Sequence, residues 1–422
     1  PNPLLDAASG PPPASPISAG PGGVPGRPSA APLPTLRPLS KKHPILPAPL
    51  RPAGEFGAYA AVRVGVGLVS RFGVEGAGPV ARALGRAFAR APFNRRRIER
   101  AVANIAQAFP ERSPAEHQAL AAQAYQHLML LGVEVAALPR LLTERTWFRH
   151  VELGDLADGV RPLLDAARPE GDPRRGPPCI LVTGHCGNWE ILGYTLALLG
   201  FPMHALYRPL DLRPLDDWVR RVRAAKGLEL LDKFGATEAL PRLLDAHEPV
   251  GFVADQNAGD RGLFVPYLGR LASTYKSIGL LAIQHRAIVI CGMARRLDPA
   301  ALPDAERRAC RGLRYRIEIH DVIRPADYLE GPGTADPLFY LTARYRRAIE
   351  SMVRSAPEQY LWMHRIWKSR PRHERDAKPF PPSLREKLAA LPWMDAEAVQ
   401  AIVARSEADS RYLREHATDR LP

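Results

Sequence analysis

Between Val151 and Ile323, short apolar runs of strand length alternate with helical patterns, and this alternation restricts the fold more than any other feature of the chain. Cys179 to Thr183, His204 to Tyr207, Leu228 to Leu231, Val250 to Ala254 and Ala287 to Met293 read as strands. Trp189 to Leu199, Leu215 to Ala225, Thr237 to Ala246 and Ser273 to Arg286 read as the helices between them. Tyr315 to Ile323 alternates with period two, which predicts a further, half-buried strand. Pro337 to Ser355 is predicted helical, with Leu338, Leu341, Tyr345, Ile349 and Met352 on one face. The expected fold class is α/β: a mostly parallel mixed sheet flanked by helices, with a helical region before it.

That N-terminal helical region is expected over residues 55–150. Ser113-Pro114-Ala115-Glu116 forms a capping box with Pro at the first helical position, so a helix should start there and end near Leu138, before Pro139. Arg82, Arg86 and Arg90 recur four apart and share one helix face, with Leu84 and Phe88 opposite; Arg95, Arg96, Arg97 and Arg100 follow. Such a basic amphipathic segment suits anionic headgroups, although a solvated helix face packed on the core is an equally good reading. Phe56 to Phe72 is apolar but contains Arg63 and closes on Arg71; it is too short and too charged to span a bilayer, and could lie in an interface.

Residues 1–54 are dominated by Pro, Ala, Gly and Ser and carry too few large apolar side chains to offset the entropy of ordering, so a disordered tail is expected. Residues 151–371 form the expected catalytic domain, and residues 372–422 a charged helical extension with short helices around Leu384 to Leu391 and Ala396 to Arg405. The chain begins at Pro1 rather than Met, which leaves room for an upstream segment with a targeting signal. No run of ~18 apolar residues occurs within it, so no transmembrane helix is expected.

With 58 Lys plus Arg against 44 Asp plus Glu, the formal charge of +14 points to an anionic partner: nucleic acid, membrane lipid, lipid phosphate or an acidic carrier protein. Cys179, Cys186, Cys291 and Cys310 lack the close spacings of a zinc site or dithiol motif, and are expected as free thiols in a reducing compartment. No metal site is expected.

The chemically loaded stretch is Cys179 to Glu190, CILVTGHCGNWE, where a strand runs into a glycine-containing turn and then a helix. His followed five places later by an acid should arise by chance roughly once in such a chain. A second such pair, His150 and Asp155, lies on what reads as one extended segment, which would hold the two ~16 Å apart. His185 instead precedes the helix, Gly184 and Gly187 let the chain bend, and Glu190 falls in the first helical turn, where its carboxylate could swing back onto the imidazole. On one continuous helix the two would stand ~140° apart, so the pairing depends on that bend. A carboxylate on one imidazole nitrogen fixes the tautomer and raises basicity, leaving the other nitrogen to take a proton from a substrate hydroxyl. A satisfied turn histidine and a Glu190 that only complements the helix N-terminus are the plain alternatives. Cys186, beside His185, reads as small apolar filler rather than a nucleophile.

These residues resemble the late acyltransferases of lipid A biosynthesis, within the lysophospholipid acyltransferase-like superfamily. The resemblance runs from about Arg97 to Pro371. It begins with Asn104-Ile105-Ala106-Gln107-Ala108-Phe109-Pro110, and its hallmark block is Gly184-His185 with Asn188-Trp189-Glu190. Tyr207-Arg208-Pro209, Val253-Ala254-Asp255-Gln256 and Phe264-Val265-Pro266-Tyr267-Leu268-Gly269 follow in the family's order. Pro357 to Arg365, with Lys368, Arg370 and Pro371, is similar to its terminal signature.

The resemblance implies a glycerolipid acyltransferase-like fold and transfer of a fatty acyl group from a thioester, acyl carrier protein (ACP) or CoA, to a hydroxyl of a phosphorylated glucosamine lipid. No other cofactor is implied. His185 and Glu190 would be the catalytic pair, Arg208 would contact the anionic substrate, and Asn188, Asp255 and Gln256 would line the substrate site. An apolar groove should hold the acyl chain. The partners implied are a membrane glycolipid, acyl carrier protein and the membrane surface, with no nucleic acid; the location implied is the cytoplasmic face of the inner membrane, peripheral or weakly anchored. The family usually opens with a hydrophobic anchor, which the Arg63-containing segment here matches poorly. His364, Arg365 and Lys368, flanked by Trp362 and Trp367, could meet phosphate, but packing and snorkelling are the favoured reading. Acyl-CoA-dependent acylation of a glycerolipid or other glycolipid, a catalytically dead lipid binder of the same fold, and a nucleic-acid-binding protein are the competing readings.

Overall fold

The computed structural model describes residues 51–154, 156–207, 213–224, 227–232 and 236–421. The expected tail therefore lies outside the described residues up to position 50, as does Arg208.

The N-terminal region is three helices: α1 (Arg51–Arg90), α2 (Arg95–Ala108) and α3 (Pro114–Leu141). Gly73, at φ 70°, breaks the helical path within α1. The face of α1 packed inward differs from the expected one. Val74, Gly78, Ala81, Gly85 and Ala89 are buried, while Leu84 is 58% exposed. Small residues at this spacing let two helix backbones approach closely; a Cβ on Gly85 would lie 2.6 Å from the Gln126 Cα of α3. Leu84 and Val80 are thus left outward beside Arg82, Arg86 and Arg90, all exposed. The start of α3 is as read from sequence: Ser113 Oγ accepts from Glu116 N, and Glu116 Oε2 from Ser113 N at 2.8 Å. It continues through Pro139 to Leu141, three residues past the expected end.

The remaining elements form an α/β domain: β1 (Val151–Leu153), α4 (Leu156–Ala166), β2 (Cys179–Thr183), α5 (Trp189–Leu198), β3 (His204–Tyr207), α6 (Arg213–Ala224), β4 (Glu229–Asp232), α7 (Ala236–Asp245) and β5 (Val250–Val253) come first. Then follow β6 (Leu263–Tyr267), β7 (Arg270–Thr274), α8 (Ser277–His285), β8 (Ile288–Arg296), α9 (Asp304–Cys310), β9 (Tyr315–Ile323), α10 (Pro325–Leu329) and α11 (Pro337–Ser355). A seven-stranded sheet has the order β1-β9-β8-β2-β5-β3-β4, parallel throughout except where β8 meets β9. Ile180, Val182, Val250, Val289 and Cys291 pack with Ile278, Tyr345, Ile349 and Met352 of α8 and α11. Cys179 and Ile290 pack with Leu163 of α4 and Leu196 of α5. Helices on both faces explain why β2 and β8 read as unbroken apolar runs.

One expected helix began in the wrong place. Arg270–Thr274 is a strand paired antiparallel with Leu263–Tyr267, and α8 starts only at Ser277. Leu268 and Gly269, both at positive φ, make the two-residue turn that such a hairpin requires. The chain ends in α12 (Arg372–Arg375), α13 (Pro382–Ala389) and α14 (Ala396–Glu415), the last ten residues longer than expected. Arg370 anchors this segment: fully buried, it pairs with Glu374 and Asp409 and donates to Leu271 O of the hairpin.

Candidate active site

Two neighbouring parallel strands set the geometry. Thr183 of β2 is in register with Val253 of β5, and Ala254 N extends the ladder by donating to Thr183 O. Two residues beyond that matched pair the chain reaches His185 on one side and Asp255 on the other. His185 Nδ1 lies 2.7 Å from Asp255 Oδ1, and the His185 backbone N–H donates to Asp255 Oδ2 at 3.0 Å. The imidazole is therefore held by a carboxylate, as expected, but the carboxylate is Asp255.

Asp255 is 1% exposed. Burial by itself would raise its carboxyl, but the charge and hydrogen bond of His185, with His364 and Arg346 nearby, hold it well below the usual carboxylate range. Arg346 of α11, fully buried, donates to Ala254 O and Asp255 O at 2.8 Å each and stacks over the Tyr267 ring at 3.8 Å. An ionised Asp255 accepts the Nδ1 proton, so Nε2 of His185 carries the lone pair. Gln256 Nε2 lies 3.5 Å from that nitrogen, which brings the expected Gln256 beside the site.

Glu190 does not take the expected place. It is in the first turn of α5, but its carboxylate faces Arg223 of α6, which donates to it through Nε at 2.7 Å and through Nη2, and the Trp189 indole N–H, 2.9 Å away. The guanidinium offers two donors on a second element, and satisfies both oxygens better than one imidazole could. Glu190 reaches His185 only indirectly: the Trp189 ring that it holds packs edge-on against the imidazole, with centroids 4.9 Å apart.

Asn188 is also reassigned. It is fully buried and caps α5, its Oδ1 accepting from Ile191 N at 3.1 Å while Nδ2 donates to Glu134 and Tyr315. No polar atom is left for a substrate. Behind it lies a buried cluster that the sequence did not flag. Arg296 of β8 pairs with Glu134 of α3 and donates to His127 Nδ1, while His127 Nε2 donates to Gly187 O at 2.9 Å. Burial and the Arg296 charge drive the His127 pKa well down, so it is a neutral strut. Gly187 has φ 59°, and a Cβ there would lie 2.1 Å from Ala294 O. Gly187 N donates to Gln359 O, Asn188 N to Ala294 O and Leu361 N to His185 O, so the turn is sewn to β8 and to the segment after α11.

His150 lies apart from this site, its Nδ1 3.1 Å from both Cys310 O and Leu313 O; its partner in the chance pair, Asp155, is outside the described residues. Cys186 is fully buried, and burial pushes its thiol far up, which removes it as a nucleophile. All four cysteines are free and buried.

Residues 54–369 match the family described as bacterial lipid A biosynthesis acyltransferase. The chain belongs to that family. It is 27% identical over 287 residues to the lipid A biosynthesis palmitoleoyltransferase of Escherichia coli (strain K12), covering 66% of this chain and 81% of the relative. It is 27% identical over 289 residues to the lipid A biosynthesis lauroyltransferase of the same organism, with the same coverage. Against the lipid A biosynthesis acyltransferase of Haemophilus influenzae (strain ATCC 51907 / DSM 11121 / KW20 / Rd) it is 24% identical over 197 residues, 46% of this chain and 55% of the relative.

Membership makes the chain an O-acyltransferase of lipid A biosynthesis, with a lipid A-type glycolipid as acceptor. The match stops at residue 369, so α12 to α14 stand outside it. A narrow, almost filled crevice of about 40 Å³ lies between α4, α5 and the sheet, lined by Leu163, Leu181, Val182, Leu192, Leu196 and Ile319 among others; it is too small as it stands for the acyl chain that the expected groove would hold. No helix among the described residues is long and apolar enough to cross a membrane.

Proposed function

We propose that this acyltransferase moves a fatty acyl group from an acyl thioester, with acyl carrier protein as the donor, to a hydroxyl of a phosphorylated glucosamine lipid, using His185 oriented by Asp255 as general base. The observation that carries this reading is the 2.7 Å contact from Asp255 to His185 Nδ1, which leaves Nε2 as an acceptor next to Gln256. Nε2 takes the hydroxyl proton as the oxygen attacks the thioester carbonyl; the C–O bond forms, the C–S bond breaks, and the imidazolium returns the proton to the leaving thiolate. Asp255 keeps the imidazole in the productive tautomer and offsets its charge in the transition state.

Glu190 acts through Trp189 as a positioning residue. Exposed Phe72, Val80, Leu84 and Phe93 beside the arginines of α1 and α2 support attachment to an anionic membrane surface, on the cytoplasmic face where acyl carrier protein is available.

The test is acyl transfer by the purified chain to a lipid A precursor in mixed micelles, with acyl carrier protein and CoA thioesters compared and the product weighed by mass spectrometry. Product one acyl group heavier, formed faster from the carrier protein and lost in His185→Ala, is expected. Transfer from CoA alone would replace the donor assignment, and no transfer from either thioester would overturn the reading.

A further inference from the structure

We infer that His364 is a second catalytic imidazole, whose neutral N–H donates to the thioester carbonyl oxygen as that oxygen becomes an oxyanion. The inference rests on the proposed acyl transfer at His185.

The His364 ring lies beside that of His185, with centroids 5.0 Å apart and planes inclined by 34°. Its backbone is tightly fixed. Asn104 Nδ2 donates to Trp362 O at 2.8 Å and to His364 O at 2.9 Å, and Leu361 N binds the carbonyl of His185 itself. The side chain, in contrast, has no hydrogen-bond partner among the described residues at either ring nitrogen, and the residue is only half-buried, so a ligand can reach the ring. A half-buried polar ring, fixed in place beside His185 with its nitrogens given to no described protein group, is free to donate to a bound substrate.

The site needs such a donor. A tetrahedral oxyanion is stabilised by preorganised N–H groups, commonly on the backbone of the catalytic turn. Here the N–H groups of His185, Gly187 and Asn188 are already given to Asp255 Oδ2, Gln359 O and Ala294 O. With those three engaged, a side-chain donor next to Nε2 adds what they cannot supply. His364 has the right charge as well as the right place. Burial, and then the neighbouring His185, push its pKa down to about 4, so the ring stays neutral at working pH. A cation 5 Å from His185 would oppose the protonation on which general-base catalysis depends; a neutral N–H stabilises the oxyanion without that cost.

The test is steady-state kinetics of acyl transfer for His364→Phe, His364→Ala, His364→Asn and His364→Gln, beside wild type and His185→Ala. Phe and Ala remove the donor; Asn and Gln each replace one ring nitrogen with an amide N–H. The expected result is a kcat lower by ~10²–10³-fold in Phe and Ala with KM changed less than about threefold, and at least a tenfold recovery in Asn or Gln. The acidic limb of the pH profile should stay where wild type has it in the better amide variant. Recovery in neither amide variant, a loss confined to KM, undiminished kcat in Ala, or a displaced acidic limb would each overturn the inference. Thermal unfolding identifies any variant that does not fold, and the Asn and Gln pair still decides if Phe fails. A wild type without transfer activity would instead sink the acyl-transfer reading itself.

Discussion

Replacing Asp255 with Asn tests which carboxylate serves His185. Asp255 accepts two hydrogen bonds, from Nδ1 and from the His185 backbone N–H, in a place with 1% exposure. An Asn oxygen can keep the backbone bond, but its NH₂ then faces Nδ1. The imidazole answers by placing its proton on Nε2, and the lone pair needed for the substrate hydroxyl is gone. The fold should survive, because the replacement is isosteric and Arg346 binds only backbone carbonyls here. Loss of the productive tautomer should cost ~10³–10⁴ in kcat, about 4–5 kcal/mol in the barrier. Glu190→Gln is the control: it breaks the Arg223 pair and loosens Trp189 but leaves Asp255 on Nδ1, so its loss of kcat should be smaller and the acidic limb of its pH profile unmoved. Acyl-transfer rates for both variants from pH 5 to 9 decide the matter. An Asp255→Asn enzyme within tenfold of wild type, or a Glu190→Gln enzyme that reproduces its loss, would refute the reasoning.

Gly187→Ala should destabilise the protein by about 1–3 kcal/mol, since it forces a Cβ onto Ala294 O at positive φ, and should reduce kcat more than stability; urea midpoints and rates measure both. Acidification should also weaken the fold. His364 and His373 each have a folded pKa pushed down to about 4, mainly by burial, so between about pH 4 and 6.5 the unfolded chain binds more protons and stability falls as pH falls. The loss at pH 5 relative to pH 7 should be of order 1–2 kcal/mol for His364 and less for the better-solvated His373; a flatter pH dependence of the unfolding midpoint in His373→Gln checks it. Charge reversal at Arg82, Arg90 and Arg96 together should weaken sedimentation with anionic vesicles by about 1 kcal/mol per residue and leave binding to neutral vesicles unchanged. Unaltered sedimentation with anionic vesicles would exclude that face.

What the sequence made legible follows from which physical signals are local. Six strands of the sheet, the α11 face and the capping box at Ser113 depend on residues within a few positions of one another, and appear within three residues of where read; the three-residue β1 was not read as a strand. The hairpin at Leu263–Thr274 was missed because its turn, Leu268-Gly269, asks a Leu to adopt positive φ, which no propensity anticipates. The inward face of α1 was misread because apolar size was taken as the guide, whereas close helix contact with α3 selected Gly and Ala. The Glu134, Arg296 and His127 cluster joins α3 to β8 across 162 or more positions, and each member looks like an ordinary surface residue in the sequence.

The same distinction explains the motif around His185. Spacing within Gly184 to Glu190 suggested a direct His–Glu contact, yet the carboxylate that binds the imidazole arrives from 70 residues downstream. The rule that would have found it is topological: residues equally far past the ends of adjacent parallel strands emerge side by side, and Thr183 with Val253 is such an end. The local residues still act on His185, by a different route. Asn188 starts the helix, Trp189 bears on the imidazole edge, and Glu190 with Arg223 holds that indole in place. A fixed spacing can therefore record a shared task without a contact: the neighbours in sequence set where the imidazole sits, and the neighbouring strand sets which of its nitrogens carries the proton.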